Sequence, residues 1–302
     1  MIAVGGDSGT GKMTLCRGFD LIFGDRIGTI SLDDYQSLDR AQRNLVGFSS
    51  ADPRAYNFAA MEEDLWALRE GRAIEKPIYD HSNGTFTTTE HIEPKEIIVV
   101  QGLFPLLTRT LRSLYDVTVW LDPEPGLRAD WKLQRDTLRR GYWRDDVEIE
   151  VERRMPDSEK YVAPQARYAD LTLTFYQPSD WSEHQDPARL SARIRKGGRF
   201  RPLDYSEFES ESTSIRQLKT AEGGYPETII ELDGRIAPAS AGLVEDRLWS
   251  HLDVHGQPRP AQLGEFEDAQ GKLKVGYTLA LSQLLIARRV VLVESDLLEM
   301  VP

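Results

Sequence analysis

Near its start the chain has the residue types and spacing of a phosphate-binding loop. An apolar run at residues 2–4 predicts a strand, and residues 6–12 follow it with the spacing G-x-x-x-x-G-K. Glycines permit backbone angles closed to other residues, so successive N–H groups can curl around a phosphate, and the following helix directs its positive end at the anion. A plain glycine-rich turn is the alternative, which the complete spacing disfavours. We predict that the nucleotide phosphates are bound by Gly6, Asp7, Ser8, Gly9, Thr10, Gly11, Lys12, Met13 and Thr14.

The residue after Lys12 departs from this pattern. A Ser or Thr there would offer Mg²⁺ a hydroxyl ligand, but the chain has Met13, with Thr14 one place late. A thioether is a soft ligand that Mg²⁺ does not favour, and the next helical residue points about 100° away. We therefore expect Asp33, Asp34 or the nucleotide phosphates to hold the metal.

A second candidate group follows the next apolar run, residues 27–32, which ends in Asp33 and Asp34. Ligands of open α/β sheets bind at the carboxyl ends of strands. A kinase that phosphorylates an alcohol needs a carboxylate to accept the proton, because an alcohol is a poor nucleophile. We predict Asp33 as this base; a turn cap is the alternative for a lone aspartate.

The elements that must position these residues alternate between strands and helices. Apolar runs predict strands at 97–100, 117–121 and 171–175, and helical spacing predicts helices at 13–23, 58–69, 127–140 and 145–155. Residues 40–54 are polar and predict a loop, and residues 76–89 predict a hairpin or a lid. The predicted fold is α/β, a P-loop NTPase-type, mostly parallel central sheet flanked by helices. Residues 1–176 form the kinase core of this prediction, and residues 177–302 a C-terminal α+β extension packed on it, for dimerisation or to extend the sheet.

Composition and charge restrict the classes of function. The 302 residues carry a net charge of −12, so the protein as a whole would repel nucleic acid and anionic membranes. An anionic substrate must be gathered by local arginines and lysines. The single cysteine, Cys16, allows no intrachain disulfide, and we expect it to be buried. With no long apolar stretch and no signal peptide, the prediction is a cytoplasmic protein without a membrane or nucleic-acid partner.

Several blocks together resemble the phosphoribulokinase/uridine kinase family in its plant and cyanobacterial form. They occur in the family's order across residues 2–176 and are SLDDYQSLDR at 31–40, ADPRAYNF at 51–58, KPIYDH at 76–81, WKLQRD at 131–136, and PQ at 164–165 leading to YAD at 168–170. The resemblance implies an ATP- and Mg²⁺-dependent kinase of the Calvin cycle that phosphorylates ribulose 5-phosphate at O1 to ribulose 1,5-bisphosphate. It also implies a homodimer.

The resemblance further implies roles for individual residues. The catalytic residues would be Asp33 as the base, with Lys132 and Arg135 at the transferring phosphoryl group. Arg40 and Arg140 match arginines of the substrate phosphate site. The remaining substrate residues would be Asp34, Gln36, Tyr79, His81, Arg153 and Arg154; the metal would be held by Asp33 and Gln101.

Two further positions depart from the family's pattern. Gln101 replaces a glutamate at the end of the strand at 97–100, and Gln36 replaces a histidine that helps to bind the sugar. Thr10 and Ser31 stand where the family has regulatory cysteines, so no thiol switch is expected. Two alternatives therefore stay open: a kinase of the same family acting on another sugar phosphate or a nucleoside, and a non-catalytic nucleotide-binding paralogue with a weakened metal site.

Overall fold

The computed structural model describes residues 1–178, 186–196, 206–208, 215–220, 227–252 and 257–299. The fold is α/β, with a mostly parallel central sheet flanked by helices, as the sequence predicts. The stretches of the 177–302 extension between these ranges lie outside the described residues.

The described residues form fourteen strands and eight α-helices. The strands are β1 Ile2–Gly6, β2 Ile27–Ser31, β3 Ile74–Lys76, β4 Tyr79–Asp80, β5 Thr85–Phe86, β6 Glu90–Ile92, β7 Ile97–Gly102, β8 Val117–Leu121, β9 Leu171–Tyr176, β10 Ser191–Lys196, β11 Ile215–Thr220, β12 Glu227–Leu232, β13 Glu265–Glu267 and β14 Leu273–Val275. The helices are α1 Lys12–Phe23, α2 Arg40–Val46, α3 Phe58–Arg69, α4 Arg109–Ser113, α5 Pro125–Leu138, α6 Arg144–Asp157, α7 Pro238–Ser250 and α8 Tyr277–Glu299.

The chain divides into two compact units, and the first comprises residues 1–12, 26–118 and 128–169. Its central strands β1, β7 and β2 are parallel, with β7 in the middle. β1 and β7 are buried along their whole length, which explains their uninterrupted apolar sequences. Gln101 of β7 lies opposite Val4 of β1 and Ser31 of β2. The phosphate loop, the Asp33 turn and Gln101 therefore meet at the carboxyl edge of these strands.

The prediction of a loop at residues 40–54 is wrong for its first half, which forms α2. Asp39 caps this helix: its carboxylate accepts from the backbone N–H of Gln42, whose side chain accepts from the N–H of Asp39. Gly47 ends the helix in the left-handed conformation, with φ of 74°. Capping at both ends therefore forms a helix from a stretch with few apolar residues.

The predicted hairpin at 76–89 consists of short strand pairs. β4 pairs with β5 in an antiparallel ladder, and β3 pairs with β6 in the same way. These pairs present Tyr79 and His81 on a segment that begins directly after Lys76. α5 and α6 follow later in the same unit, and α6 continues into a π-helical turn at Ser158–Val162.

The second unit comprises residues 13–25, 119–127 and 170–302. Its β9 is parallel to β8, and β10, β12 and β11 follow in antiparallel order. Helix α1 from Met13 onward belongs to this unit, and Cys16 is buried in it, as predicted. Among the described ranges, no helix combines the length and apolar character that a membrane crossing requires. The division at residue 176 stays a prediction.

Candidate active site

The phosphate loop takes the conformation that its glycines permit. Gly9 and Gly11 have φ of 86° and 89°, in the left-handed region. A Cβ on Gly9 would lie 2.7 Å from Cβ of Lys132, so any larger residue would displace helix α5. The loop and α5 are therefore in direct contact, and glycine is required at position 9 for space as well as for backbone angle.

Lys12 is buried within the loop and bonded to it. Its Nζ donates to the backbone carbonyls of Gly6 and Asp7, both at 2.8 Å. Burial lowers the pKa of Lys12 to about 8, in spite of the nearby carboxylates of Asp33 and Asp7, which favour the charged form. The ammonium group is thus still charged at neutral pH and lies where the loop would surround a phosphate.

Asp7 joins the phosphate loop to helices α5 and α6. Its carboxylate pairs with Arg128 at 2.7 Å and Arg154 at 2.6 Å, and accepts hydrogen bonds from the Ser158 hydroxyl and the Ser8 backbone N–H. Burial raises the pKa of Asp7, but Arg154, Ser158 and Arg128 outweigh it and bring it to about 2. Asp7 therefore stays ionised. Its carboxylate is bonded to α5, α6 and the π-helical turn, so it stabilises the loop and its charge is balanced by arginines.

The other predicted loop residues have distinct surroundings. The Thr10 hydroxyl donates to the Asp7 carbonyl at 2.9 Å, and the Ser8 hydroxyl accepts from Arg135 at 3.0 Å. Met13 is 65% exposed, so its side chain is not a packing residue. The carbonyl of Thr14 accepts a hydrogen bond from Gln283 at 3.0 Å.

Asp33 has an unused carboxylate oxygen. It lies in the turn that follows β2, and its Oδ1 is buried without a hydrogen-bond partner, 3.5 Å from where a Cβ on Gly102 would be. Its negative charge acts on Lys12 and His81, whose pKa values it raises against the effect of burial. A buried carboxylate oxygen without a hydrogen-bond donor can accept a proton from a ligand or bind a cation.

The chemistry of the donor set decides whether a metal would fit. Among the described residues, no group of three or more His, Cys, Asp or Glu side chains could hold a metal ion. Mg²⁺ is usually held by one or two carboxylates together with substrate phosphates. The carboxylate of Asp33 and the buried amide of Gln101 at the end of β7 fit such a sparse site.

Asp34 does not share the free state of Asp33. Its Oδ2 accepts from Nζ of Lys76 at 2.6 Å, and its Oδ1 accepts from the backbone N–H of Tyr79 at 3.0 Å. Both oxygens are therefore engaged by the β3–β4 segment. Asp34 therefore fixes the start of the loop that carries Tyr79 and His81.

Gln36 is buried and connects two neighbours. Its Nε2 donates to the Asp33 carbonyl at 3.2 Å, and its Oε1 accepts from Arg43. Arg40, on the same helix as Arg43, donates to the His81 carbonyl and the Tyr142 hydroxyl, both at 2.6 Å.

Tyr79 and His81 lie edge to face, with ring centres 5.1 Å apart. Burial lowers the pKa of His81, and Arg140 and Arg135 act in the same direction against Asp33 and Asp34. His81 is therefore predominantly neutral at neutral pH and can accept or donate one hydrogen bond through its ring.

Asp136 gathers the predicted basic residues of α5. Its carboxylate pairs with Lys132 at 2.6 Å, Arg135 at 2.8 Å and Arg140 at 3.3 Å. Burial raises the pKa of Asp136, but Arg135 and Lys132 outweigh it, so the pKa lies below its usual value. Three positive charges surround one negative charge, which leaves a surplus to bind an anion.

The two adjacent arginines of α6 have different partners. Arg154 is buried and pairs with Asp7, as described above, whereas Arg153 donates to Oδ1 of Asn44 at 3.0 Å and to the carbonyl of Phe48 at 3.2 Å. The structure thus brings Arg154 to the phosphate loop and Arg153 to α2.

Sequence reasoning missed Arg43, Arg128, Asp136 as a pairing centre, Tyr142 and Ser158. Arg43 lies three residues after Arg40, a helical spacing that would have indicated a shared face had α2 been predicted. For Arg128 and Ser158, no local pattern indicates a bond to Asp7, more than 100 residues away.

Comparisons with known proteins find relatives in one family. A family model described as the phosphoribulokinase/uridine kinase family matches residues 1–180. The phosphoribulokinase of Synechocystis sp. is 38% identical over 203 residues, which are 66% of this chain and 61% of that protein. The chloroplastic phosphoribulokinase of Mesembryanthemum crystallinum is 37% identical over 57% of this chain and 48% of its own length. A uridine kinase of Limosilactobacillus reuteri is 31% identical over 57% of this chain and 82% of its own length.

The chain thus spans less than two thirds of the length of the Synechocystis and Mesembryanthemum phosphoribulokinases. Among solved structures, phosphoribulokinase from Rhodobacter spheroides shares the fold, with a TM-score of 0.60 and 20% identity over 83% of this chain and 95% of that one. The family match covers more than half of the residues. The chain belongs to the phosphoribulokinase/uridine kinase family.

Proposed function

We propose that this chain is an ATP-dependent sugar-phosphate kinase that phosphorylates ribulose 5-phosphate at O1. The observation that supports this most is the buried, unbonded Oδ1 of Asp33 beside a phosphate loop with a charged Lys12. A base and a phosphate site at one sheet edge are what a phosphoryl transfer to an alcohol needs.

In the proposed reaction, Asp33 Oδ1 accepts the proton of the acceptor's C1 hydroxyl. The C1 oxygen forms a bond to the γ-phosphorus of ATP, and the bond from that phosphorus to the bridging oxygen breaks, which releases ADP. Lys12 holds the nucleotide phosphates, and Lys132 and Arg135 stabilise the charge on the transferring group. Asp136 keeps these two cations in place.

Asp33 and Gln101 are the residues that would hold Mg²⁺, which neutralises charge on the nucleotide phosphates when bound. Met13 contributes no oxygen, so this chain supplies few ligands of its own. We infer that the nucleotide phosphates supply most of the oxygen ligands of Mg²⁺.

Another acceptor is the second candidate. Gln36 stands where the sugar would be recognised, and a uridine kinase is among the relatives. A non-catalytic nucleotide-binding paralogue is the third, and the neutral Gln101 and the exposed Met13 favour it.

One experiment separates these candidates. Purified protein receives Mg-ATP with ribulose 5-phosphate, uridine or a panel of other sugar phosphates, and ADP release is followed. We expect turnover with ribulose 5-phosphate. Turnover with uridine alone would move the assignment to the nucleoside kinases, and ATP binding without ADP release would support the paralogue.

We also propose that residues 1–176 form the kinase core and that residues 177–302 are a C-terminal extension packed on it, for dimerisation or to extend the sheet. We propose further that the protein is a homodimer and cytoplasmic. The change from βα alternation to a mixed α+β pattern motivates the boundary, and the single cysteine is typical of a reducing compartment. Light scattering coupled to size exclusion measures the mass, for which about twice 34.3 kDa is expected.

A further inference from the structure

The turn that carries Asp33 is closed by a fully buried tyrosine. Tyr35 is 0% exposed, and its backbone N–H donates to the carbonyl of Leu32 at 3.1 Å, across the turn. Its hydroxyl donates to Oδ2 of Asp64, in helix α3, at 2.9 Å. A tyrosine hydroxyl is protonated at neutral pH, so it is the donor in this hydrogen bond.

Tyr35 is attached to α3 through its backbone as well as through its side chain. Its carbonyl accepts from the N–H of Asn57 at 2.8 Å, and the side chain of Asn57 caps α3. Positions 57 and 64 are about two helical turns apart, so they lie on one side of the helix. One side of α3 thus holds both ends of Tyr35, within the same compact unit as the Asp33 turn.

The neighbours of Asp33 in the turn are held in place, whereas Oδ1 of Asp33 is not. A Cβ on Gly102 would lie 2.7 Å from Cβ of Leu32, so Leu32 packs directly against that backbone. Both carboxylate oxygens of Asp34 are engaged, as described above. Because Oδ1 of Asp33 is buried without a hydrogen-bond partner, the contacts of its neighbours determine where it lies.

A reacting group must be held to within about 0.5 Å of its productive geometry, and a displacement of about 1 Å can cost a factor of about 10² in rate. A helix gives such support more precisely than a loop. We propose that Asp64 is a positioning residue for phosphoryl transfer: through the hydroxyl of Tyr35 it fixes the turn that directs Asp33 at the acceptor hydroxyl. This inference rests on the proposed function, since it concerns the base of that kinase.

The first test removes this hydrogen bond from either side. Tyr35→Phe removes the donor, Asp64→Ala removes the acceptor, and Asp64→Asn retains an acceptor. Nucleotide-binding sites are counted by calorimetry, so that unfolded protein does not enter kcat. We expect kcat per site to fall about 10- to 100-fold in Tyr35→Phe and Asp64→Ala, and to stay within about threefold of wild type in Asp64→Asn. KM for ATP should change by less than about twofold, because the phosphate loop is intact.

Two matched controls leave this hydrogen bond intact. Tyr115→Phe changes a tyrosine that is 2% exposed and whose hydroxyl has no hydrogen-bond partner. Glu63→Ala removes the exposed carboxylate next to Asp64 in α3. Both controls should keep kcat within about twofold of wild type, since neither touches the Asp33 turn.

A positioning residue must act through the base. In the background Asp33→Asn, the change Asp64→Ala should therefore lower kcat by less than about twofold. An undiminished loss in that background would assign Asp64 a general structural role and would overturn the proposal, as would wild-type kcat in Asp64→Ala. Should Asp64→Ala not fold, Tyr35→Phe takes its place in the same cycle, because it removes only one oxygen atom.

Hydrogen exchange separates this inference from the proposed function. In Tyr35→Phe, the amides of residue 35 and Asn57 should exchange about tenfold faster than in wild type, while the amides of β7 keep their rates. If the wild type releases no ADP with any acceptor, the kinase proposal fails. Faster exchange at these two amides would then still support Asp64 as the residue that fixes the Asp33 turn, and unchanged exchange would overturn it.

Discussion

At the scale of single residues, the adjacent Asp33 and Asp34 differ in the hydrogen bonds of their carboxylates. Asp34 uses both oxygens on Lys76 and Tyr79, while Asp33 keeps Oδ1 buried and unbonded. One aspartate therefore stabilises the local structure, and its neighbour retains an acceptor for a ligand. Their sequence position predicts that both lie at the strand end, but Lys76 is 42 residues away, and no local pattern indicates which aspartate it would engage.

We expect Asp33→Asn to lower kcat with the active acceptor by about 10²- to 10⁴-fold, the usual contribution of a general base. ATP binding, measured by calorimetry, should persist because the phosphate loop is unchanged. Asp130→Asn, at an exposed position, is the control and should keep wild-type turnover. Near-normal turnover in Asp33→Asn would remove Asp33 as the base.

His81 should make stability depend on pH. Its pKa is lowered in the folded state, so below about pH 6.5 the unfolded chain binds a proton that folded His81 resists. The free energy of unfolding should therefore fall as the pH decreases from 6.5 through the folded pKa, and His81→Asn should weaken this fall. Denaturant unfolding of both proteins at pH 7.5, 6.5 and 5.5 measures how the free energy of unfolding changes with pH.

His91 supplies a control of opposite sign. Glu93 and Glu75 raise its pKa, so its contribution is present below pH 6.5 and is lost as the pH rises through the folded value. His91→Asn should therefore remove stability only at the acidic end. A fall with decreasing pH that is the same in wild type and His81→Asn would contradict the assignment to His81.

At the scale of elements, the sequence was informative where a structure depends on neighbours in the chain. The phosphate loop, α5 and β7 could be predicted because spacing and apolar runs are local signals. The misassigned α2 also carried a local signal, since Asp39 and Gln42 form a capping box and Gly47 ends the helix; the scarcity of apolar residues concealed it. The bond between Asp7 and Arg154 joins positions 147 residues apart, which spacing cannot predict.

The cap of α2 should be measurable. Asp39→Ala removes the side-chain acceptor of the Gln42 N–H, and we expect a loss of about 1 kcal/mol in the free energy of unfolding. Asp39→Asn retains a side-chain acceptor, so its free energy of unfolding should fall by a few tenths of a kcal/mol at most. Because α2 begins with Arg40, which we predict to lie in the substrate phosphate site, Asp39→Ala should also raise KM for the acceptor more than KM for ATP. Equal stability of both variants would argue against the cap.

The contacts of Asp7 should stabilise the loop together with α5 and α6. Asp7→Asn leaves buried Arg154 without its counter-charge, and we expect a loss of about 3–5 kcal/mol in the free energy of unfolding at pH 7. Since the pKa of Asp7 is about 2, its stabilisation is complete above pH 3.8 and is lost as the pH falls through about 2. The control Asp146→Asn, at an exposed position, should change stability by under about 1 kcal/mol. A loss in Asp7→Asn no larger than in this control would contradict the role of Asp7.

At the scale of the whole molecule, helix α1 packs against helix α8 within the second unit. A Cβ on Gly18 would lie 2.1 Å from Cδ of Gln283. Gln283 is buried and held in place, since its Oε1 accepts from the Gly264 N–H at 2.9 Å and its Nε2 donates to the Thr14 carbonyl at 3.0 Å. Helix α1, which follows the phosphate loop, is thus bonded to a residue beyond position 176.

We expect Gly18→Ala to destabilise the protein by about 1–3 kcal/mol, because Gln283 must abandon buried hydrogen bonds to make room. In the background Gln283→Ala the same change should be neutral or stabilising, since alanine favours a helix over glycine by about 1 kcal/mol. Chemical denaturation of the four proteins of this double-mutant cycle measures the coupling. Additive effects would show that Gln283 adapts freely.

The close approach of Gly18 and Gln283 has a consequence for the history of the family. A side chain at position 18 and a glutamine at position 283 compete for the same space, so selection for stability should favour loss of the glutamine before a side chain appears at position 18. Homologous sequences that retain α8 should therefore fall into two groups, one with glycine at 18 and glutamine at 283, and one with a larger residue at 18 and a smaller one at 283.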